Sequence, residues 1–298
     1  FFVMRVLITG ATGFVGQSLI PSLIFKCPAI EIMTSNIDLK DAEEKYPMSK
    51  YPTCVHIHSS NMGAIVSFNP EITLHLATLS SPRDDTEIIR PMLQSNIEYG
   101  VLLLDALSKC SAMKLFVNTG TFAEFRPGDD CFESAYLYAA SKTAFRSFVD
   151  YYSRHYGFKY ITAIPYSIYG GDMTIKRIMD YIRESMTSNS AVEMTAGEQI
   201  LDFIHLDDIV NFFILTVSKY QEFQDLCANG EDFHLGTGIG TNIKTLALLM
   251  EEKYNKKCNI SWGARPYRES DIMHAVAPIQ SNNQKIHWRA LIDLNEGI

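Results

Sequence analysis

Val6-Leu7-Ile8-Thr9-Gly10-Ala11-Thr12-Gly13-Phe14-Val15-Gly16 is the stretch on which the fold turns. A short apolar run stops at a glycine, an apolar-periodic segment runs from about Phe14 to Phe25, and a second apolar run follows at Ile30 to Thr34. Strand, helix, strand in that order predicts a parallel unit, because a helical crossover brings the chain back in the same direction. The three glycines differ in what they allow. Gly10 permits a tight turn, Gly13 lets backbone approach a pyrophosphate, and Gly16 packs helix against strand. Free N–H groups at the helix start then attract an anion. A tight turn without a ligand is the competing reading, and the place of the motif between a strand and a helix weighs against it. Pro21 falls inside this helix and predicts that it is short or bent.

The same alternation continues outward. Strand-like runs recur at Cys54 to Ile57, Thr73 to Leu76, Leu115 to Asn118 and Tyr160 to Ile164, with helical patterns at Ile97 to Ser108 and Tyr138 to His155. The expected class is α/β, a Rossmann-like doubly wound parallel sheet with a smaller C-terminal substrate-binding lobe. The dinucleotide-binding domain is expected over residues 1–170 and the lobe over 171–298, with part of 200–240 returning to the sheet. The boundary is set at Gly170-Gly171-Asp172, where the pattern loosens. A second glycine cluster, Gly236 to Gly240, lacks a following repeat of the unit and reads as a structural loop.

Acidic residues (34) outnumber basic ones (26), and a formal charge of −8 argues against nucleic acid as a partner. No apolar run approaches the roughly 20 residues that cross a bilayer, so no membrane partner is expected. The six cysteines, Cys27, Cys54, Cys110, Cys131, Cys227 and Cys258, form no close pair. They read as reduced thiols of a cytoplasmic protein, and the N-terminal stretch lacks the pattern of a secretory signal. His56 and His58 share a strand face without a third ligand, so no metal site is expected. Asp207-Asp208 reads as a helix N-cap.

Tyr138-Ala139-Ala140-Ser141-Lys142 puts a phenol and an ammonium at i and i+4, stacked on one helix face, where the cation can lower the phenol pKa. With the Gly-x-x-Gly-x-x-Gly turn, this pair resembles the extended short-chain dehydrogenases/reductases, the epimerase and dehydratase type. Further matches run along nearly the whole chain: His75-Leu76-Ala77, Asn96 with Gly100, Asn118-Thr119-Gly120-Thr121-Phe122, Pro165 to Gly170, and Gly197 to Asp208. The resemblance implies a catalytic set of Thr121, Tyr138 and Lys142. It implies a cofactor lying along Gly10, Thr12, Gly13, Phe14, Val15 and Gly16, then Thr34, Ser35 and Asn36, then Leu76, Ala77, Thr78, Asn96 and Thr119, with Tyr138, Lys142, Pro165 and Ser167 beside the nicotinamide. Thr121, Phe122 and Arg268 would meet the substrate.

Extended members mostly act on nucleotide-activated sugars, and three local features sort the possibilities. The Asp-Glu pair that follows the threonine in 4,6-dehydratases is here Phe122-Ala123, which removes the proton carriers of dehydration. Thr34, Ser35 and Asn36 stand where an acid would select NAD(H), so NADP(H) is favoured over NAD(H), with Asp38 near enough to reach in. The wording around Thr121 and over Gly197 to Asp208 resembles the CDP-abequose and CDP-paratose synthase group, reductases of 4-keto-6-deoxy sugars. The implied reaction is therefore reduction of a C4 ketone on a nucleotide sugar. An NAD-retaining 4-epimerase and a non-catalytic dinucleotide sensor are the alternatives. Leu201 departs from the family, which there has an arginine for the nucleotide phosphates, whereas Arg268 matches the second such arginine. Apolar positions on the two long helices, Val101 to Leu104 and Leu107 on one, Ala139, Phe145, Phe148, Val149 and Tyr152 on the other, predict a two-fold homodimer.

Overall fold

The computed structural model describes residues 3–83, 85–126, 132–171, 176–278 and 281–298; Cys131 and Asp172 lie outside them. Strands and helices alternate first: β1 (Met4–Thr9), α1 (Phe14–Lys26), β2 (Ile30–Asn36), α2 (Leu39–Lys45), β3 (Cys54–His58), α3 (Met62–Phe68) and β4 (Ile72–His75). Then come α4 (Thr86–Leu93), α5 (Tyr99–Leu107), β5 (Leu115–Thr119), α6 (Leu137–Tyr156) and β6 (Lys159–Pro165). The remainder comprises β7 (Ser167–Tyr169), α7 (Ile178–Ser185), β8 (Val192–Met194), β9 (Ile200–His205), α8 (Leu206–Ser218), α9 (Tyr220–Leu226) and β10 (Glu231–Leu235). It ends with β11 (Gly240–Asn242), α10 (Ile243–Tyr254), β12 (Ile260–Trp262), β13 (His274–Ala275), α11 (Ser281–Lys285) and α12 (Leu294–Gly297).

The main sheet has the order β10-β6-β5-β4-β1-β2-β3, with every pair parallel. Its strands are apolar on both faces, as a sheet covered on both sides requires. Val6 and Ile8 of β1 join one core with Leu19, Leu23 and Phe212, while Leu7 between them joins the opposite one with Leu103, Leu107 and Phe145. Strand order reverses between β1 and β4, and the crevice at their C-terminal ends is where such sheets bind ligands. Short strands β7, β9, β11 and β13 make a second sheet, β8 pairs with β12, and Met179, Phe203, Leu246 and Met250 pack a third, smaller core there.

Three sequence expectations need correction. The first helix is not shortened: it runs 13 residues through Pro21, because Leu19, Ile20 and Leu23 bury on either side of it and α8 packs alongside. The N-cap of α8 is His205, whose ring accepts the Asp207 amide at 3.2 Å. Asp208 instead takes the amides of Leu291 and Ile292, both at 3.0 Å, and ties the C-terminal segment down. Between α4 and α5 the pattern is interrupted by a π-helical turn, Gln94–Glu98, a form that recurs at functional sites. Among the described residues no helix is long and apolar enough to cross a membrane.

Candidate active site

The glycine turn leaves β1 with Gly10 at a φ of +70°, and a Cβ there would fall 2.7 Å from the Ala77 nitrogen at the end of β4. At Gly16 it would meet the Ala11 oxygen at 2.3 Å. Two strand ends and a helix therefore meet with backbone in direct contact. Helix α1 begins at Gly13 with no side-chain cap and no acid in its first turn, whereas Asp38, Asn61, Asp85, His205 and Asn242 cap α2, α3, α4, α8 and α10. The second glycine cluster behaves oppositely: the buried Asp202 carboxylate accepts the amides of Thr237 at 2.9 Å and Gly238 at 2.8 Å. One turn is filled by the protein's own anion, and the other is open to an external one.

At the end of β2 the structure differs from the expected ribose contact. Thr34 is fully buried, its hydroxyl 2.6 Å from His56 Nδ1 and 2.8 Å from Asn36 Nδ2. His56 Nε2 faces the Tyr46 carbonyl at 3.0 Å and must carry the hydrogen, so Nδ1 accepts from Thr34. Ser35 accepts from the Tyr99 hydroxyl at 2.7 Å, and Asp38 caps α2 through the Asp41 amide at 3.1 Å. All four side chains are engaged within the protein. Asn36 Oδ1, Asn118 Oδ1 and Thr119 Oγ1 are buried without a hydrogen-bond partner. These orphaned atoms at the ends of β2 and β5, together with the uncapped glycine cradle, fit a dinucleotide.

Asn96 is likewise committed. Its Oδ1 accepts the Leu79 amide (2.7 Å) and the Thr78 hydroxyl (3.1 Å), and its Nδ2 donates to the Leu79 carbonyl and to Ser141 Oγ (2.9 Å). It is a brace between the loop after β4 and α6, not a free ligand contact. That loop carries Thr78 and Ser80, whose hydroxyls lie near enough to the Tyr138 phenol to favour its charged form.

Tyr138 and Lys142 occupy the first two turns of α6, and Thr121 caps a short 3₁₀ turn, Phe122–Glu124, just past β5; all three are buried. Burial pushes the Tyr138 phenol up to about 12, with Tyr136 and Glu124 adding to it. Burial pushes the Lys142 ammonium down to about 8, with Arg146 adding and Glu124 opposing. The expected lowering of the phenol by the lysine is not found: burial, which disfavours a phenolate, dominates at Tyr138, and Lys142 is not among the groups that act on it. His75 is buried and pushed down to about 3 by burial, with Lys142 adding to it, so it is neutral; it is bonded to the Thr9 hydroxyl at 2.8 Å and packs against Tyr99, Phe116 and Phe145.

On the substrate side, Phe122 stacks on Tyr166 at 5.4 Å, and Leu201 packs between two cores in β9. Arg268 is exposed, on a loop joined to the catalytic turn by a hydrogen bond from Arg126 to the Glu269 carbonyl. Sequence reasoning missed three groups. Arg177, at the start of α7, lies 5.8 Å over the Phe14 ring and in electrostatic range of Tyr136 and Tyr138. Lys45 at the end of α2 reaches the Thr12 carbonyl at 3.2 Å. Glu124 is a wholly buried carboxylate, and the Thr121-x-x-Glu124 spacing of a capping box was its available signal.

The family model for the NAD dependent epimerase/dehydratase family matches residues 6–236, which include the glycine cradle, the threonine turn and the Tyr138–Lys142 pair. The chain belongs to that family. It is accordingly an enzyme of the extended short-chain dehydrogenase/reductase type. Among curated relatives, CDP-abequose synthase of Yersinia pseudotuberculosis is 26% identical over 91% of this chain and 91% of its own length. The dTDP-4-dehydro-6-deoxyglucose reductase of Escherichia coli is 23% identical over 98% and 95%. Among solved structures, UDP-glucose 4-epimerase of Thermotoga maritima with UDP-glucose superposes with a TM-score of 0.81 at 20% identity, covering 99% of this chain and 96% of that one. A dTDP-glucose 4,6-dehydratase of Streptomyces venezuelae with NAD bound gives 0.82 at 16% identity, covering 99% and 94%.

Proposed function

We propose that this enzyme reduces the C4 ketone of a nucleotide-activated 4-keto-6-deoxy sugar, with NADP(H) preferred over NAD(H). One observation carries the reading: Tyr138 is a buried, neutral phenol, Thr121 a buried hydroxyl, and among the described residues the turn that follows Thr121 offers no carboxylate free to act. Phe122 and Ala123 fill the positions after Thr121, and Glu124 is held by Arg146 at 2.7 Å. Dehydration needs an acid and a base at that place, whereas reduction of a ketone needs only a proton donor and a carbonyl partner. Two relatives support it, one a CDP-abequose synthase and one whose name specifies reduction of a 4-dehydro-6-deoxy sugar.

The dinucleotide, when bound, supplies the hydride. Thr121 accepts the Ala123 amide at 3.3 Å through its oxygen, which leaves its hydrogen to donate to the substrate carbonyl. Tyr138 passes its proton to the same oxygen as negative charge develops there. Lys142 holds ribose hydroxyls, the helix start at Gly13 the pyrophosphate. The absence of a carboxylate among residues 34–36 and the Lys45 ammonium beside the cradle support a 2′-phosphate. With no guanidinium at Leu201, Arg268 would supply one to the substrate phosphates.

The experiment is to supply purified protein with reduced dinucleotide and a set of 4-keto-6-deoxy nucleotide sugars. Stoichiometric oxidation of the cofactor is expected. Interconversion of 4-epimers by cofactor that stays bound, with none consumed, would establish the epimerase instead.

A further inference from the structure

One turn beyond Lys142 lies a buried set of charges that the reaction above does not use. Glu124 is 0% exposed. Its carboxylate accepts Arg146 Nε at 2.7 Å and Nη2 at 3.3 Å, the Thr143 hydroxyl at 3.2 Å and the Thr121 amide at 2.8 Å. Arg146 Nη1 reaches on to Asp232 of β10 at 2.6 Å. The space is closed: a Cβ on Gly120 would fall 2.6 Å from Glu124 Oε1. Buried ion pairs of this kind are costly to desolvate and give little net stability over an apolar pair of the same size, so another role is worth seeking.

We propose that Glu124, clamped by Arg146, is a positioning residue that anchors the Thr121 turn and sets a negative charge against the Lys142 ammonium. The inference rests on the reductase reading for its effect on rate. The anchor is geometric. Glu124 ties the Thr121 backbone to α6 through Thr143 and Arg146, and α6 also carries Tyr138, so both groups that meet the carbonyl oxygen are referred to one rigid helix.

Charged groups from two elements act on Lys142. Arg146 from its own helix disfavours the ammonium, and Glu124 from the 3₁₀ turn favours it. His75 from β4 and Tyr138 one turn back are neutral near pH 7. With burial already holding Lys142 near 8, the ammonium is lost as pH rises through that value. Removing Glu124 moves the loss to lower pH, and removing Glu124 and Arg146 together takes away both opposing influences.

Fluorescence titration of the full chain with NADPH over a range of pH reads this without turnover. Wild-type affinity is expected to weaken as pH rises through about 8. In Glu124→Gln the midpoint should fall by about one unit. In Glu124→Leu/Arg146→Met part of that fall should be recovered, since Glu124 acts on Lys142 more strongly than Arg146 does, while kcat for ketone reduction stays about tenfold or more below wild type with KM little changed, because Thr121 has lost its anchor. A flat wild-type profile, or an unshifted midpoint in a Glu124→Gln protein with native circular dichroism, overturns the charge role; a wild-type kcat in the double variant overturns the anchor. Should Glu124→Gln fail to fold, the double variant, which leaves no lone buried guanidinium, decides on kcat. A wild type with the expected binding profile that reduces no keto sugar overturns the reductase reading and leaves the charge arrangement standing.

Discussion

At Tyr138 the proposed reaction narrows to one phenolic hydrogen. Tyr138→Phe keeps the ring and its packing and removes the donor, so turnover should fall 100-fold or more while the dissociation constant for cofactor stays close to wild type. Stopped-flow turnover alongside binding titration checks both halves. The alkaline limit of activity should belong to Lys142 rather than to Tyr138. The phenol keeps its proton up to about 12, and the ammonium loses its own at about 8, so kcat/KM should decline above pH 8 and the decline should vanish with the cofactor contact in Lys142→Met. These residues were readable because a helical i, i+4 pair and a strand-end threonine show in the order of letters. Glu124 had a local signal in its capping-box spacing, but its burial against Arg146 did not show, and Arg177 over Phe14 acquires meaning only from a neighbour far away in sequence. Thr34 shows another limit: its place in the chain suggested a ribose contact, and its hydroxyl is bonded to His56 and Asn36, from a neighbouring strand and two residues on.

Among the elements, the β1–α1 turn is the most exacting. Gly10→Ala would strain a φ of +70° and drive a methyl group to 2.7 Å from the Ala77 nitrogen, so cofactor affinity should drop at least tenfold and thermal stability with it. Calorimetric titration and a melting curve would measure these. Lys45→Glu on α2 tests the dinucleotide preference at a side chain that is partly exposed, where the fold has little at stake; the ratio of NADPH to NADH affinity should shift about tenfold toward NADH. Unchanged ratios would remove Lys45 from the phosphate site. Two glycine-rich turns in one chain look alike as text, and strand-turn-helix context separated them correctly. What context could not reveal is why: Asp202 reaches the second from β9, far away in sequence. Helix α1 taught the converse lesson, because local proline chemistry predicted a short or bent helix, and with Leu19 and Leu23 buried it runs 13 residues.

For the whole molecule, a Rossmann sheet with a smaller appended sheet was legible from the alternation of runs, because parallel strands buried on both faces read as continuous apolar stretches. The π turn and most of the short strands beyond Gly170 were not, having too few residues to show a period, although Phe233 to Leu235 reads as a strand and lies in β10. Helices α5 and α6 bury Leu103, Leu104, Leu107, Phe145 and Val149 within the chain, more than the sequence pattern suggested. Leu102, Phe148 and Tyr151 remain outside, 51%, 39% and 51% exposed, and are the surface on which a two-fold partner would pack. Light scattering should give twice the chain mass, and Leu102→Lys with Phe148→Lys should halve it. The central claim, that hydride passes from the cofactor to C4 of a keto sugar, is tested most directly with NADPH deuterated at the transferred position. The account predicts one deuterium at C4 of the reduced sugar for each NADPH oxidised; a converted sugar without deuterium at C4, with the cofactor unspent, would contradict it.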